Sequence, residues 1–142
     1  MNTGFTLAIA AAVAWGLVYV LSERVLRDFS PLALLFIYGV LTSVVLAPFI
    51  LTGHIDAGDF FQRDRTALYL TLTAVLLTVL ANFLILMSIE RLGATPAALI
   101  EISYPLFTVI FVFLLFGTVP SWATAAGGVL IITGAAIITK FA

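Results

Sequence analysis

Residues 96–116, PAALIEISYPLFTVIFVFLLF, decide the fold of this chain, because they form a long apolar run with a single acidic side chain, Glu101. A helix of about 20 apolar residues crosses the roughly 30 Å hydrocarbon core of a bilayer. Backbone N–H and C=O groups find no water in that core, so a membrane-crossing run has to be helical. The alternation of apolar and polar residues that a transmembrane barrel needs is absent. The run therefore predicts a transmembrane helix.

Four further apolar stretches predict helices of the same kind, at about residues 4–22, 31–51, 67–89 and 120–139. The chain is 63% hydrophobic and 9% charged, whereas a soluble domain is roughly 45–50% apolar and about 25% charged. A soluble fold of this size could not bury so much apolar surface. We therefore predict an all-α membrane protein, a single domain over residues 1–142 with five transmembrane helices that are antiparallel to their neighbours. The first helix is interpreted as an uncleaved span, because it lacks the basic start of a signal peptide.

Proline and hydroxyl residues mark the predicted helix starts. Ser30-Pro31 and Thr95-Pro96 each join a candidate N-cap to a proline that suits the first helical turn. Pro120 is expected to open the fifth span in the same way.

Basic residues give the chain a weak orientation signal. The helix ends on one side of the membrane carry Arg24, Arg27, Arg91 and Lys140, and the long loop on the other side carries Arg63 and Arg65. Because basic loops stay in the cytoplasm, this bias predicts an external N-terminus and an internal C-terminus in the plasma (inner) membrane. The bias is small enough to permit insertion in both orientations. Acidic residues at the same helix ends, such as Glu23 and Glu90, are interpreted as solvated interface charges.

Composition also excludes several classes of function. The formal net charge is −1, so nothing indicates a nucleic-acid partner. The chain has no cysteine and one histidine, which rules out a His/Cys metal cluster, and we expect no metal or other cofactor. The predicted spans contain no pair of acids, and no motif places a serine beside a base. The sequence therefore gives no indication of an enzyme.

Glu101 is the clearest functional candidate, because an acidic side chain inside a bilayer is energetically expensive. Pro105, four residues later, has no N–H to donate to the Glu101 carbonyl, so the sequence predicts a helix break beside the acid. The carbonyl and the carboxyl group together suit a proton or a cation. Burial favours the protonated form of a carboxyl group, which a proton-coupled carrier requires. A protonated Glu101 that bonds a neighbouring helix as a purely structural contact is the other open interpretation.

The remaining candidates for the substrate and proton site are polar or aromatic residues inside the predicted spans: Trp15, Tyr19, Tyr38, Asn82 and Tyr104. Trp15 and Tyr19 lie on one stripe of the first span, and a buried indole N–H requires an acceptor. We predict that these residues line a cavity with Glu101. For Asn82, hydrogen bonding between helices is the structural alternative.

Three glycines in the fifth span are candidates for close helix packing: Gly127, Gly128 and Gly134. Gly127 and Gly134 are seven residues apart and face the same way. Small residues let two helices approach closely in a membrane. The contact is expected within the chain or between two chains.

Several short motifs follow one another along the predicted helices. They are Ala14-Trp15-Gly16, Ser30-Pro31-Leu32, Ala94-Thr95-Pro96-Ala97-Ala98, Tyr104-Pro105-Leu106-Phe107, Leu115-Phe116-Gly117 and the run from Gly128 to Gly134. In this order they resemble an EamA-type domain of the drug/metabolite transporter superfamily over nearly the whole chain. The last three helices are also similar to small multidrug resistance exporters. Those exporters carry an essential glutamate near the position of Trp15, so their drug and proton site does not transfer.

The resemblance implies one half of an inverted-repeat transporter, because most relatives carry two such domains of opposite topology. Their substrate sites lie between the halves near the bilayer midplane. We therefore expect a secondary transporter of a small metabolite or organic cation, coupled to protons. The expected partners are the lipid bilayer and a second half, either in an antiparallel homodimer or in a heterodimer with a sister half. The alternative is a non-transporting membrane subunit with an assembly or regulatory role.

Overall fold

Six α-helices make up the ordered elements of the computed structural model, which describes residues 3–53 and 64–141. They are α1 (Thr3–Val25), α2 (Pro31–Leu51), α3 (Arg65–Leu92), α4 (Ala94–Glu101), α5 (Tyr104–Phe116) and α6 (Trp122–Phe141). No strand occurs in those two stretches. The predicted all-helical fold is confirmed for this part of the chain.

The predicted spans correspond to long apolar helices in the structure. Four segments are long and apolar enough to cross a membrane, namely α1, α2, α3 and the combined segment Ala94–Phe116. A shorter apolar helix, Trp122–Ile137, follows in α6. The third helix is longer than predicted, because it extends from Arg65 to Leu92. Most of the predicted charged loop, including Arg63, lies outside the described residues.

The helix starts agree with the sequence in one case and differ in two. Ser30 caps α2, because its Oγ accepts a hydrogen bond from the Ala33 N–H at 3.3 Å. The predicted cap role of Thr95 is wrong, because α4 begins at Ala94 and Thr95 is therefore inside the helix. Pro120 does not open α6, since that helix begins at Trp122.

Ser121 caps the start of α6 in place of Pro120. Its Oγ accepts from the Thr124 N–H at 3.1 Å and lies 2.8 Å from the Thr124 hydroxyl. A side-chain oxygen at this position satisfies a backbone donor that the first turn leaves unpaired. Ser121 thus takes the position before the first helical residue, and Pro120 precedes the helix.

The predicted fourth span, residues 96–116, is divided into α4 and α5. Ile102 and Ser103 separate the two helices with φ,ψ of −59°, −7° and −73°, −10°. The Ser103 and Leu106 N–H groups bond carbonyls three residues back, at 3.2 and 3.1 Å. Such bonds belong to a tighter turn than the α-helix. Pro105 has no N–H for the Glu101 carbonyl, so the α-helical ladder is interrupted where the only acid of the segment lies.

The chain divides into two compact units. The first contains Met1–Arg24 and Ser88–Ala142, and the second contains Val25–Met87. In the first unit both α4 and α5 pack against α6. The second unit contains α2 and most of α3, and its buried apolar residues are Leu26, Pro31, Leu34 and Leu86 among those the structure describes.

Candidate functional site

Glu101 is hydrogen-bonded to a side chain of α1. The Tyr19 hydroxyl donates to Oε2 of Glu101, and both residues are half-buried. Glu101 is the last residue of α4, so its carboxylate lies beside the break between α4 and α5. The acid that the sequence singled out therefore has a polar partner on another helix.

Both residues of this pair lie inside their helices, several residues from the nearer end of the apolar segments. Tyr19 precedes the end of α1 by six residues, and Glu101 follows the start of α4 by seven. At 1.5 Å per residue these offsets correspond to about 9 and about 11 Å. At such a depth a carboxyl group is costly unless a polar group meets it.

A second acid joins the same two helices nearer their ends. The Glu23 carboxylate, in the last turns of α1, accepts a hydrogen bond from the Ala94 N–H at 2.6 Å. Tyr19 precedes Glu23, whereas its partner Glu101 follows Ala94, so α1 and α4 run antiparallel. The interpretation of Glu23 as a solvated interface charge is wrong, because its carboxylate meets the backbone of another helix. No sequence signal indicated this bond, which joins residues 71 apart in the chain.

Three small residues close to these two hydrogen bonds in the sequence are almost completely buried. Ser22 is 1% exposed on α1, and its Oγ donates to the Val18 carbonyl at 2.7 Å. On α4, Ala94 is 3% and Ala97 is 1% exposed. Residues three, four and seven apart share one face of a helix. Tyr19, Ser22 and Glu23 therefore form one face of α1, and Ala94, Ala97 and Glu101 form one face of α4, which we call the α1–α4 contact.

Gly93 is the single residue between α3 and α4. Its φ of 86° and ψ of 164° belong to a region that is essentially restricted to glycine. A Cβ built on Gly93 would lie 3.7 Å from Oε2 of Glu23. The sharp turn at Gly93 brings the first N–H of α4 to the Glu23 carboxylate. Glycine after a long apolar helix was a readable signal for this turn.

Tyr19, the hydrogen-bond partner of Glu101, also contacts a second aromatic ring on α1. The Trp15 and Tyr19 ring centroids are 5.8 Å apart, with an interplanar angle of 51°. Trp15 is 51% exposed, so much of its ring remains available for contact. Tyr104, another predicted site residue, opens α5 and is 63% exposed.

The other two predicted site residues belong to the second unit. Tyr38 is half-buried in α2. Asn82 lies in α3, and its Nδ2 donates to the Thr78 carbonyl of the same helix at 2.9 Å. The structure thus brings together Trp15, Tyr19 and Glu101, whereas Tyr38 and Asn82 lie in the other unit.

The three glycines of α6 differ in their surroundings. A Cβ on Gly128 would lie 2.9 Å from Leu106 Cδ1, so α6 approaches α5 closely there. At Gly127 and Gly134 a Cβ would meet nothing within 4 Å. One of the three predicted packing glycines therefore makes a close contact within the chain.

Within residues 3–53 and 64–141, no group of three or more His, Cys, Asp or Glu side chains could hold a metal ion. The chemistry available at the α1–α4 contact is hydrogen bonding between a carboxyl group and a phenol, together with contact with the aromatic ring of Tyr19.

Comparison with known families decides the identity of the chain. Residues 2–140 match the EamA-like transporter family. The chain belongs to this family. Members of the EamA family are transporters, and the family together with the apolar helices indicates a multi-pass membrane protein. No curated protein and no solved structure matches the chain.

Proposed function

We propose that this EamA-family chain is a half-size secondary transporter of the plasma (inner) membrane that moves a small metabolite or organic cation in exchange for protons. The observation that carries the proposal is the Glu101 carboxyl group, held by the Tyr19 hydroxyl inside an apolar helix pair. An acid at such a depth is retained for a function more often than for packing.

Glu101 would serve as the shared site for proton and substrate. A carboxyl group that is protonated cannot also neutralise a cation, so binding of one excludes the other. The Trp15 and Tyr19 rings favour an organic cation in particular, since aromatic faces attract cations through their quadrupoles. Tyr19 would give up its hydrogen bond to Glu101 or share it when the substrate arrives.

A second half would complete the transporter. Inverted-repeat carriers hold the substrate between two halves of opposite topology, and this chain corresponds to one of them. A homodimer of antiparallel copies would supply the second half, as would a heterodimer with a sister half. The weak basic bias of the loops supports the first arrangement, because it permits both orientations.

The test measures proton-driven uptake in proteoliposomes. The wild-type chain should accumulate radiolabelled tetraethylammonium in liposomes with an acidic lumen, and entrapped pyranine should report the matching loss of protons from the lumen. Glu101→Gln keeps the shape of the side chain but removes its titration, so it should abolish both signals. Glu90→Gln, at an exposed position near the end of α3, is the matched control and should leave both signals unchanged.

Two results would contradict the proposal. Uptake by Glu101→Gln at the wild-type rate would remove the carboxyl group from the mechanism. No uptake by the wild-type chain would instead favour a membrane subunit without transport activity, in which the Tyr19–Glu101 hydrogen bond is a structural contact between helices.

A further inference from the structure

The short helix α4 is attached to α1 at both of its ends. Its first N–H, on Ala94, donates to Glu23, and its last residue, Glu101, accepts from Tyr19. Its eight residues span about 12 Å. The site carboxylate is therefore at one end of a short rigid rod whose other end is bound to Glu23.

Glu23 performs the role that an N-cap side chain normally has. The first N–H groups of a helix have no partner within it and need an acceptor from elsewhere. Gly93, at the N-cap position of α4, makes no side-chain cap bond. Glu23 supplies this acceptor from a different helix.

We propose that Glu23 is a positioning residue of the transport site, and this inference rests on the function proposed above. By fixing the Ala94 end of α4, Glu23 sets where Glu101 stands relative to Tyr19. Ala94 and Ala97 are almost completely buried, and α4 also packs against α6, so the bond to Glu23 and this packing together hold the helix in place. Gly93 and the turn at Ile102–Ser103 bound the helix, so it can move as one piece once an attachment is lost.

The competing explanation is that Glu23 only helps to set the orientation of the chain in the membrane, since acidic and basic residues surround it in the sequence. The two explanations differ in what the side chain must retain. Glutamine keeps a carbonyl oxygen that can accept from the Ala94 N–H but loses the charge. Alanine loses both the oxygen and the charge. A positioning role therefore predicts that Glu23→Gln resembles the wild type and Glu23→Ala does not.

Cysteine labelling tests this difference without any transport assay, because the natural sequence contains no cysteine. Ser22→Cys introduces a near-isosteric thiol at a position that is 1% exposed within the α1–α4 contact. In lipid nanodiscs its reaction with N-ethylmaleimide should be slow. Adding Glu23→Ala should raise the rate by about 2- to 30-fold, which is the effect of losing a helix cap on a local opening equilibrium. Adding Glu23→Gln should leave the rate unchanged.

The outcomes separate the explanations. If Glu23 acts only through its charge, labelling of Ser22→Cys should become faster by the same factor in the Gln and Ala variants. That result would overturn the proposal, and so would an unchanged labelling rate in both variants. Ala126→Cys, half-buried on α6, is the control probe and should react equally in all three backgrounds. If Glu23→Ala unfolds the chain and accelerates both probes, the Gln variant still decides, because rapid labelling of Ser22→Cys in it overturns the positioning role.

Uptake measurements then link the contact to transport. Glu23→Gln should retain tetraethylammonium uptake, and Glu23→Ala should require a higher concentration for half-maximal uptake. The predicted labelling pattern together with no uptake by the wild type would overturn the proposed function alone. Normal uptake by Glu23→Ala would overturn the positioning role alone.

Discussion

At the scale of single residues, two glutamates of the α1–α4 contact have different partners. Glu101 accepts from a side-chain hydroxyl, whereas Glu23 accepts from a backbone N–H. A hydroxyl can turn away or be replaced by a ligand group, but a helix N-terminus keeps its need for an acceptor. We therefore expect the Glu101 bond to exchange for a ligand group more readily than the Glu23 bond.

The Tyr19 hydroxyl should make a measurable contribution to stability. Tyr19→Phe removes the donor to Glu101 and keeps the ring that contacts Trp15. Hydrogen bonds between membrane helices contribute about 0.5–2 kcal/mol. We expect the free energy of unfolding to fall by that amount, measured by titration with sodium dodecyl sulfate in mixed micelles.

Tyr69→Phe is the matched control for this measurement. Tyr69 is 67% exposed on α3 and loses the same hydroxyl, so the free energy of unfolding should not change. An equal loss of stability in both variants would mean that the Tyr19–Glu101 bond contributes nothing specific.

At the scale of helices, hydropathy alone was enough to locate the apolar elements, because lipid leaves helices as the favoured solution for long apolar runs. Their ends were harder to predict, since a cap depends on one side-chain bond. The cap at Ser30 was predicted correctly, but Thr95 does not cap α4. There Gly93 turns the chain, and Glu23 supplies the hydrogen-bond acceptor.

The candidate site was predictable to the extent that its chemistry is local. Glu101 stood out as the only acid in its apolar run, and Trp15 and Tyr19 are one helical turn apart. Glu23 could not be found in this way, because its partner is a backbone N–H and every residue except proline has one. Only the fold reveals which N–H a carboxylate meets across 71 residues.

Packing between α5 and α6 should distinguish two adjacent glycines. Gly127→Ala adds a methyl group in open space, and alanine favours a helix over glycine by about 0.5–1 kcal/mol, so it should stabilise the chain. Gly128→Ala would place its Cβ 2.9 Å from Leu106 Cδ1. The Leu106 methyl group must move aside, which offsets part of the gain from alanine, so this variant should be less stable than Gly127→Ala in the same unfolding titration.

A double-mutant cycle identifies the cause. In a Leu106→Ala background that methyl group is absent, so Gly128→Ala should stabilise the chain as much as Gly127→Ala, with an interaction energy of at least about 0.5 kcal/mol. A lower stability of Gly128→Ala that persists without the Leu106 side chain would contradict a close contact between α5 and α6.

At the scale of the whole molecule, apolar side chains need a cover that one copy does not provide. Leu114, Leu115 and Phe116 on α5 are 67–77% exposed, and Trp122 at the start of α6 is 84% exposed. Lipid or a second half must cover such surfaces, because large exposed apolar patches mark membrane or protein contacts. Under the proposed pairing of two copies, their relative orientation decides which of these surfaces face each other.

The weak bias of the loop charges predicts that copies of the chain insert into the membrane in both orientations. Fusions of the C-terminus to alkaline phosphatase, active outside the cytoplasm, and to green fluorescent protein, fluorescent inside it, should both give a signal in a bacterial host. Replacing Arg63 and Arg65 by glutamine leaves basic residues on one side only, so fluorescence should remain and phosphatase activity should disappear. Replacing Arg24, Arg27 and Arg91 should have the opposite effect.

If the active form is an antiparallel pair, transport requires copies of both orientations in the same membrane. Each charge variant alone should lose tetraethylammonium uptake, because all its copies insert the same way and no inverted partner forms. Co-expression of the two oppositely biased variants should restore uptake, since each then meets a copy of the other orientation. Full uptake by either variant alone would show that parallel copies, or a single copy, suffice, and the inverted homodimer would have to be abandoned.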